Sequence, residues 1–372
     1  MTAAIVDYDC LTPYGLGSED LWAGLSAGRT AVGTCDRFRT DAFTSHLAGM
    51  VPDLRPGERD SLVMQLLVRL FGVREEPFPP DTYLIVGTTT GEIDLLEDAV
   101  ANGVGGVERS VVGALGTKVA RAAGLTRAGE VVSAACASST AGLARALSLI
   151  RSGEEDCILV AAADCVSEFV FSGFSSLGAL DRDPARPFDA QRRGMNIGEG
   201  AAYVLLASEK RAREMGVGVR AVLRGAGMAG DADHMTGPDR DGKGLARAVS
   251  NALRSAGRAS DAVGCIAAHG TGTALSDAME MAAFKTVFEN PRPVFSVKGG
   301  TGHTMGSTGL IQCAAALRAV RERSAPPTVG LRNVSDEARG WAAPVPQRVE
   351  TPCALVTNSG FGGINVAVVL EG

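Results

Sequence analysis

The chain is poor in rings: 12 Phe, 4 Tyr and 2 Trp make up 5% of 372 residues, which leaves little for aromatic binding platforms. It has no basic surplus either. With 36 Lys and Arg against 42 Asp and Glu, the formal charge is −6, which argues against an overall nucleic-acid footprint. Only four histidines occur, with no HExxH and no Cys/His ligand spacing, so no metal site is expected. Eight cysteines show no CxxC and no regular framework, and Cys157, Cys265 and Cys353 sit in apolar runs, as small buried hydrophobes do. The opening "MTAAIVDYDC" lacks a basic region ahead of an apolar one, so no secretory signal is read there. The longest apolar stretch, "CILVAAADCV", is interrupted by Asp164 and too short to span a bilayer. A cytoplasmic protein without a membrane or nucleic-acid partner is expected.

Glycine, in contrast, is abundant at 47 residues, which favours tight turns and close backbone packing. A 45% hydrophobic, 21% charged chain of this length can fill one large domain or two halves sharing a core. Short apolar runs predict strands: "TYLIVGTTTG", "EVVSAA", "DCILVAAAD", "AAYVLLASE", "AVLRGAGMAG", "VGCIAAHGT", "PVFSVKGG" and "NVAVVLEG". Between them, "SEDLWAGLSAG", "STAGLARALSLIRSG", "GKGLARAVSNALRSAG", "DAMEMAAFKTVF" and "TGLIQCAAALRAVRE" predict helices. The alternation reads as an α/β protein with covered sheets. A weak duplication divides it: "EVVSAACASSTAGLARAL" and "PVFSVKGGTGHTMGSTGLIQCAAAL" both run strand, small-residue turn, helix. The join falls near 208–218, giving halves 1–210 and 211–372, and "ERSAPPTVGLRNVSDEARG" reads as a long surface loop.

Two phosphate motifs fail on context. Gly225, Gly227 and Gly230 match GxGxxG, but the chain continues "DADHMTGPDRDG" where a helix would have to open. "GPDRDGKG" approaches a P-loop but ends in Gly244, without the hydroxyl for magnesium, and its aspartates would repel phosphate.

"VVSAACASST" carries more. It places Cys136 at a strand-to-helix turn among small residues, where amides and the helix dipole stabilise a thiolate and a substrate has room. Alone, this fits an activated nucleophile and a core cysteine about equally well. Three further stretches bear on the choice. "AAHGTGT" puts His269 in a glycine turn after an apolar strand. "SVKGGTGHTMGSTG" places Lys298 and His303 after another, and "TNSGFGGINVAVVL" forms a glycine turn before a closing strand. Half of all the histidines thus fall at strand ends, where α/β sheets collect catalytic groups.

These stretches resemble the β-ketoacyl synthases, the condensing enzymes of fatty-acid and polyketide assembly, in their Cys-His-His elongating branch. "LTPYGLGSEDLWAGLSAGRTAVG", "FSGFSSLGALDRDPARPFDAQRRGMNIGEGAA" and "DADHMTGPDRDGKG" are similar to further segments of that family, in its order. The resemblance implies the thiolase fold, a duplicated α-β-α-β-α five-layered architecture with two central mixed sheets. It implies that Cys136 takes the acyl chain as a thioester. His269 and His303 then stabilise the enolate formed as a malonyl unit loses carbon dioxide. The oxyanion falls between the amides of Cys136 and Phe361. Lys298 tunes the site electrostatically, Glu280 organises its hydrogen bonds, Thr271 and Thr273 contact the pantetheine arm, and Phe361 gates the acyl chain. No cofactor beyond the phosphopantetheine of an acyl carrier protein is implied. The partners are that carrier and a second subunit, identical or a chain-length factor. Arg69, Arg74, Arg192 and Arg193 are candidates for carrier docking.

The sequence departs from the family's pattern at Ser359, where a phenylalanine is common, at Ser276, where glycine is usual, and in a compressed segment around 50–80 with one short helix, "SLVMQLLVRLFGV". The first departure resembles type II polyketide ketosynthases. A thiolase would need a second catalytic cysteine where "GFGG" stands, and starter-type synthases lack the second histidine. A silent chain-length factor usually loses the nucleophile that Cys136 supplies. A non-decarboxylating acyltransferase on the same fold is the other alternative.

Overall fold

Runs of alanine, valine and leucine buried on both faces become the strands, with every residue of "CILVAAAD" buried. The computed structural model describes residues 3–56, 60–103 and 107–372. Among the described residues, the first half gives the main path of the central sheet five strands: β1 (Ala3–Thr12), β2 (Tyr83–Gly87), β3 (Glu130–Val132), β4 (Cys157–Asp164) and β5 (Gly200–Ser208). Five more follow: β6 (Ala221–Gly230), β7 (Cys265–Ala267), β8 (Val294–Phe295), β9 (Cys353–Gly360) and β10 (Ile364–Glu371).

Their spatial order is β3-β2-β4-β5-β1-β6-β10-β9-β7-β8. Read outward from the centre, each half has the same order and the same directions. The two inner pairs are antiparallel and the two outer pairs parallel. The expected two sheets are therefore not separate. β1 and β6 pair antiparallel over Ala3–Ile5 and Ala221–Leu223, which satisfies two edges that would otherwise be open and joins the halves into one mixed sheet.

Helices α1 (Leu62–Phe71) and α2 (Val112–Ala122) cover the outer face of the first half. α3 (Ser138–Ser152) lies inside, α4 (Glu168–Ser176) lies toward the rim, and α5 (Lys243–Ala256) and α6 (Ala274–Val287) cover the outer face of the second half. α7 (Thr308–Arg321) lies beside α3, and both touch strands of both halves, completing five layers. Every residue of α7 from Thr308 to Leu317 is buried, as a helix in a central layer requires. The two inner helices start in close contact: a Cβ on Gly309 would lie 2.0 Å from Thr140 Oγ1, and Leu310 N–H donates to Ser139 Oγ at 3.3 Å.

The rejected GxGxxG has a packing explanation. A Cβ on Gly225 would lie 2.4 Å from Ala252 O, and one on Gly227 would lie 2.2 Å from Ala248 O, so these glycines let α5 press directly on β6. Gly230 has open space, consistent with a packing pair rather than a three-glycine fingerprint. Gly227→Ala is expected to destabilise the fold by about 1–3 kcal/mol, read as a lower denaturant midpoint. An unchanged midpoint would remove this explanation.

Other expectations need correction. Helices α2, α4 and Ile93–Asn102 form where sequence reading assigned none. The loop 322–340 is not simply a surface loop, because Ala325–Val329 is buried and the amides of Arg332 and Asn333 donate to Asp189 at 2.8 and 2.7 Å. Among the described residues, no helix is long and apolar enough to cross a membrane.

Candidate active site

The strand ends after β2, β3, β4, β7, β8 and β9 supply the site. The turn between β3 and α3 is tight enough to force Ala135 to φ 48°, a left-handed conformation costly for any residue with a Cβ. Its carbonyl is held by Ser138 Oγ at 2.6 Å and by the Thr89 hydroxyl at 3.3 Å, while Ser138 Oγ accepts Ala134 N–H at 2.9 Å. Cys136 follows, two residues ahead of α3, and lines a 460 Å³ cavity with His269, His303, Thr271, Thr273 and Phe361. The expected low-pKa thiolate is not what this state holds. Burial pushes the thiol up to about 12, with Asp164 adding to the rise and Lys298 opposing it. Loss of water on burial is the largest cause, and it exceeds the opposing Lys298 charge.

The imidazoles of His269 and His303 face each other nearly at right angles, with centroids 5.3 Å apart. Lys298 Nζ lies 3.3 Å and Asn358 Nδ2 3.5 Å from His269 Nδ1. Both neighbours are donors, so Nδ1 accepts and the proton sits on Nε2. At His303, Nδ1 accepts Met305 N–H at 3.2 Å, with the Thr308 hydroxyl also at 3.2 Å, which fixes the same tautomer. Burial and the Lys298 charge hold both rings well below the ordinary imidazole pKa, so both are neutral at pH 7. Two neutral N–H donors beside one thiol can stabilise an enolate and receive an acyl group in the same cavity.

Lys298 is buried, in a single helical turn (Lys298–Thr301), and donates to the carbonyl of His269. Burial pushes its pKa down. Glu280, also fully buried, is pushed up, and it accepts the amides of His269 and Gly270 at 2.7 and 2.6 Å. Asp277, unnoticed in the sequence, holds the same turn through the amides of Thr271 (3.0 Å) and Gly272 (3.1 Å). Its position three residues before Glu280 on α6 was the available signal. Asn358, Gln312 and Thr308 were missed as well. Asn358 Nδ2 donates to Gln312 Oε1 at 2.6 Å, and Gln312 Nε2 in turn donates to Ala267 O at 3.1 Å.

Models of the β-ketoacyl synthase N-terminal and C-terminal domains match residues 74–212 and 220–332. The tetracenomycin polyketide synthase ketoacyl synthase alpha subunit of Streptomyces glaucescens is 30% identical over 96% of this chain and 94% of its own. The chain belongs to the β-ketoacyl synthase family. The 3-oxoacyl-[acyl-carrier-protein] synthase 2 of Coxiella burnetii is 28% identical over 97% of this chain and 96% of its own. Among solved structures, the ishigamide ketosynthase/chain length factor aligns with TM-score 0.89 at 30% identity, covering 100% of this chain and 98% of that one. A β-ketoacyl synthase from Burkholderia phymatum aligns with TM-score 0.86 at 25% identity, covering 100% and 99%. The thiolase fold expected of the family is the fold found.

Around this β-ketoacyl synthase cavity, Phe361 stands at the rim. It is 40% exposed, its ring lies 5.5 Å from that of Phe174, and Gly362 and Gly363 follow it at φ 87° and 76°. Ser359 lines the cavity and donates to Asn365 Oδ1 at 2.6 Å, and Ser276 also lines it. Of the four arginines considered for docking, two are committed inside the protein. Arg192 binds the carbonyl of Ala274 at 3.1 Å and pairs with Glu337, and Arg74 bonds Tyr203 at 2.8 Å and pairs with Asp7. Arg69 donates to the carbonyls of Pro52 and Asp53. Arg193 alone of the four reaches the cavity, and it remains largely exposed while paired with Asp183.

Proposed function

We propose that the chain catalyses decarboxylative Claisen condensation of an acyl thioester with malonyl-acyl carrier protein. The observation that supports this most is the meeting of one thiol and two neutral Nε2–H imidazoles in a single cavity. The Cys136 sulfur attacks the acyl carbonyl, the thiol proton goes to the departing pantetheine sulfur, and an acyl-cysteine thioester remains. Malonyl thioester then binds with its carbonyl oxygen at His269 and His303. The C–CO₂ bond breaks, its electron pair forms the enolate, and the two N–H groups stabilise that oxygen. The enolate carbon attacks the acyl-cysteine, with its oxyanion at the amides of Cys136 and Phe361. The carbon–sulfur bond to Cys136 breaks with its electron pair on sulfur, a proton from solvent restores the thiol, and the β-ketoacyl carrier leaves. Lys298 and Glu280 hold the His269 turn, and Thr271 and Thr273 face the pantetheine arm.

The proposal extends to the assembly: an acyl carrier protein as substrate, a second subunit (identical or chain-length-factor-like), a type II polyketide or specialised fatty-acid pathway, and a cytoplasmic setting. Residues 1–210 carry the nucleophile and 211–372 carry both imidazoles. Intact-protein mass spectrometry after exposure to a panel of acyl-carrier thioesters is the test. One acyl increment mapping to Cys136 is expected. Acylation without carbon dioxide release from malonyl carrier would instead mark a non-decarboxylating acyltransferase. No acylation at all would favour the silent-partner reading.

A further inference from the structure

One fully buried carboxylate has no role in the scheme above. Asp164 ends β4, is 0% exposed, and sits between the nucleophile turn and the second imidazole. Its partners are hydroxyl and amide donors. Oδ1 accepts from Thr88 Oγ1 at 2.8 Å and lies 3.0 and 3.3 Å from the amides of Thr89 and Thr90. Oδ2 accepts from Thr89 N–H at 2.9 Å and from Gly306 N–H at 2.7 Å.

The contacts continue in both directions. Toward the sulfur, the Thr89 hydroxyl donates to Ala135 O at 3.3 Å, and Ser138 Oγ lies 3.1 Å from Thr88 O. Toward the ring, Gly306 adjoins Met305, whose amide donates to His303 Nδ1 at 3.2 Å. Each end of this chain of contacts contains a non-glycine residue at positive φ: Ala135 at 48° and Met305 at 50°. Such conformations persist only where the surroundings over-determine them. Gly306 has no room for a side chain, since a Cβ would lie 2.7 Å from Asp164 Oδ2 and 2.9 Å from Thr89 N.

We propose that Asp164 is a positioning residue for the condensation, pinning the Cys136 turn and the His303 turn at their working separation. The inference rests on the function proposed above. The chemistry favours a carboxylate here over its amide. Four donors converge, and an ionised carboxylate offers about four acceptor positions, whereas an asparagine would turn an NH₂ toward N–H groups. The charge has a second effect. Asp164 acts on Cys136 against Lys298, and the other titratable groups facing the sulfur, His269 and His303, are held neutral. Removing the Asp164 charge therefore lowers the thiol pKa even as the geometry loosens.

Two variants of the full chain test this: Asp164→Asn, and Thr88→Val, which removes one donor and keeps side-chain shape. For Asp164→Asn, kcat for condensation is expected to fall by about tenfold or more with KM nearly unchanged. Iodoacetamide should also alkylate Cys136 faster than in the parent at every pH between roughly 7 and 10. A purely structural role would not confine the loss to kcat. For Thr88→Val, kcat falls by a smaller factor and the alkylation profile stays in place. A folded Asp164→Asn with parental kcat, or with an unmoved alkylation profile, overturns the proposal. If Asp164→Asn does not fold, Thr88→Val decides, and parental kcat there overturns it. A parent protein that never condenses acyl and malonyl carriers is a different outcome: it defeats the proposed function, while the alkylation comparison still reads the influence of Asp164 on Cys136.

Discussion

Cys136→Ala is expected to leave a folded protein that no longer condenses. Formation of β-ketoacyl product falls by roughly 10³-fold or more, because the covalent intermediate has no atom to form on. The substitution removes one sulfur from the wall of a cavity, and the neighbours of Cys136 are already alanines. The two functions of the site should separate in this variant. His269 and His303 keep their partners, so carbon dioxide is still released from malonyl carrier while no carbon–carbon bond forms. Product mass spectrometry and labelled carbon dioxide release, run side by side, read both. Product at the parental rate would return Cys136 to the status of a small buried hydrophobe.

His303→Ala should give the complementary pattern. Loss of one of two N–H donors at a developing enolate costs about 10²–10³ in rate. Carbon dioxide release therefore falls by that factor, while acyl transfer to Cys136, followed by mass, stays within a few-fold of the parent. The pH dependence of the parent checks the same idea. Both rings have pKa values lowered from 6.5 by burial and by Lys298, so both remain neutral as the solution is acidified through that value. The rings therefore contribute no decline there, and a fall in decarboxylation between about pH 7 and 6 would report protonation of Glu280 or Asp164, whose carboxyls burial pushes up into that range.

The fold was largely readable because its signals are local. Apolar runs such as that of β4, and the helix following Cys136, announce themselves within ten to fifteen residues. His269, Lys298 and His303 were visible for the same reason, each being a rare residue at the end of an apolar run. What escaped notice depends on partners far along the chain. Asn358 reads as turn filler until Gln312 and His269 stand beside it, and Asp164 reads as an interruption of an apolar stretch until Gly306, 142 residues later, donates to it. The stabilised thiolate read at Cys136 is opposed by burial for a related reason. A dipole can be inferred from the start of a helix, but the depth of burial opposing it is set by the whole molecule. Arg192 looked available for docking because nothing nearby in sequence reveals Glu337 and the carbonyl of Ala274.

The interlocked starts of α3 and α7 have a steric consequence. With Gly309 against Thr140 and Leu310 tied to Ser139, the helix that follows the Cys136 turn and the helix behind the second ring leave no room between their starts for a side chain or a guest. Phe361, at the rim and followed by two glycines at positive φ, lies outside this block. If the proposed condensation takes place here, a bulkier acyl cargo would have to be accommodated at that rim rather than between the two packed helix starts.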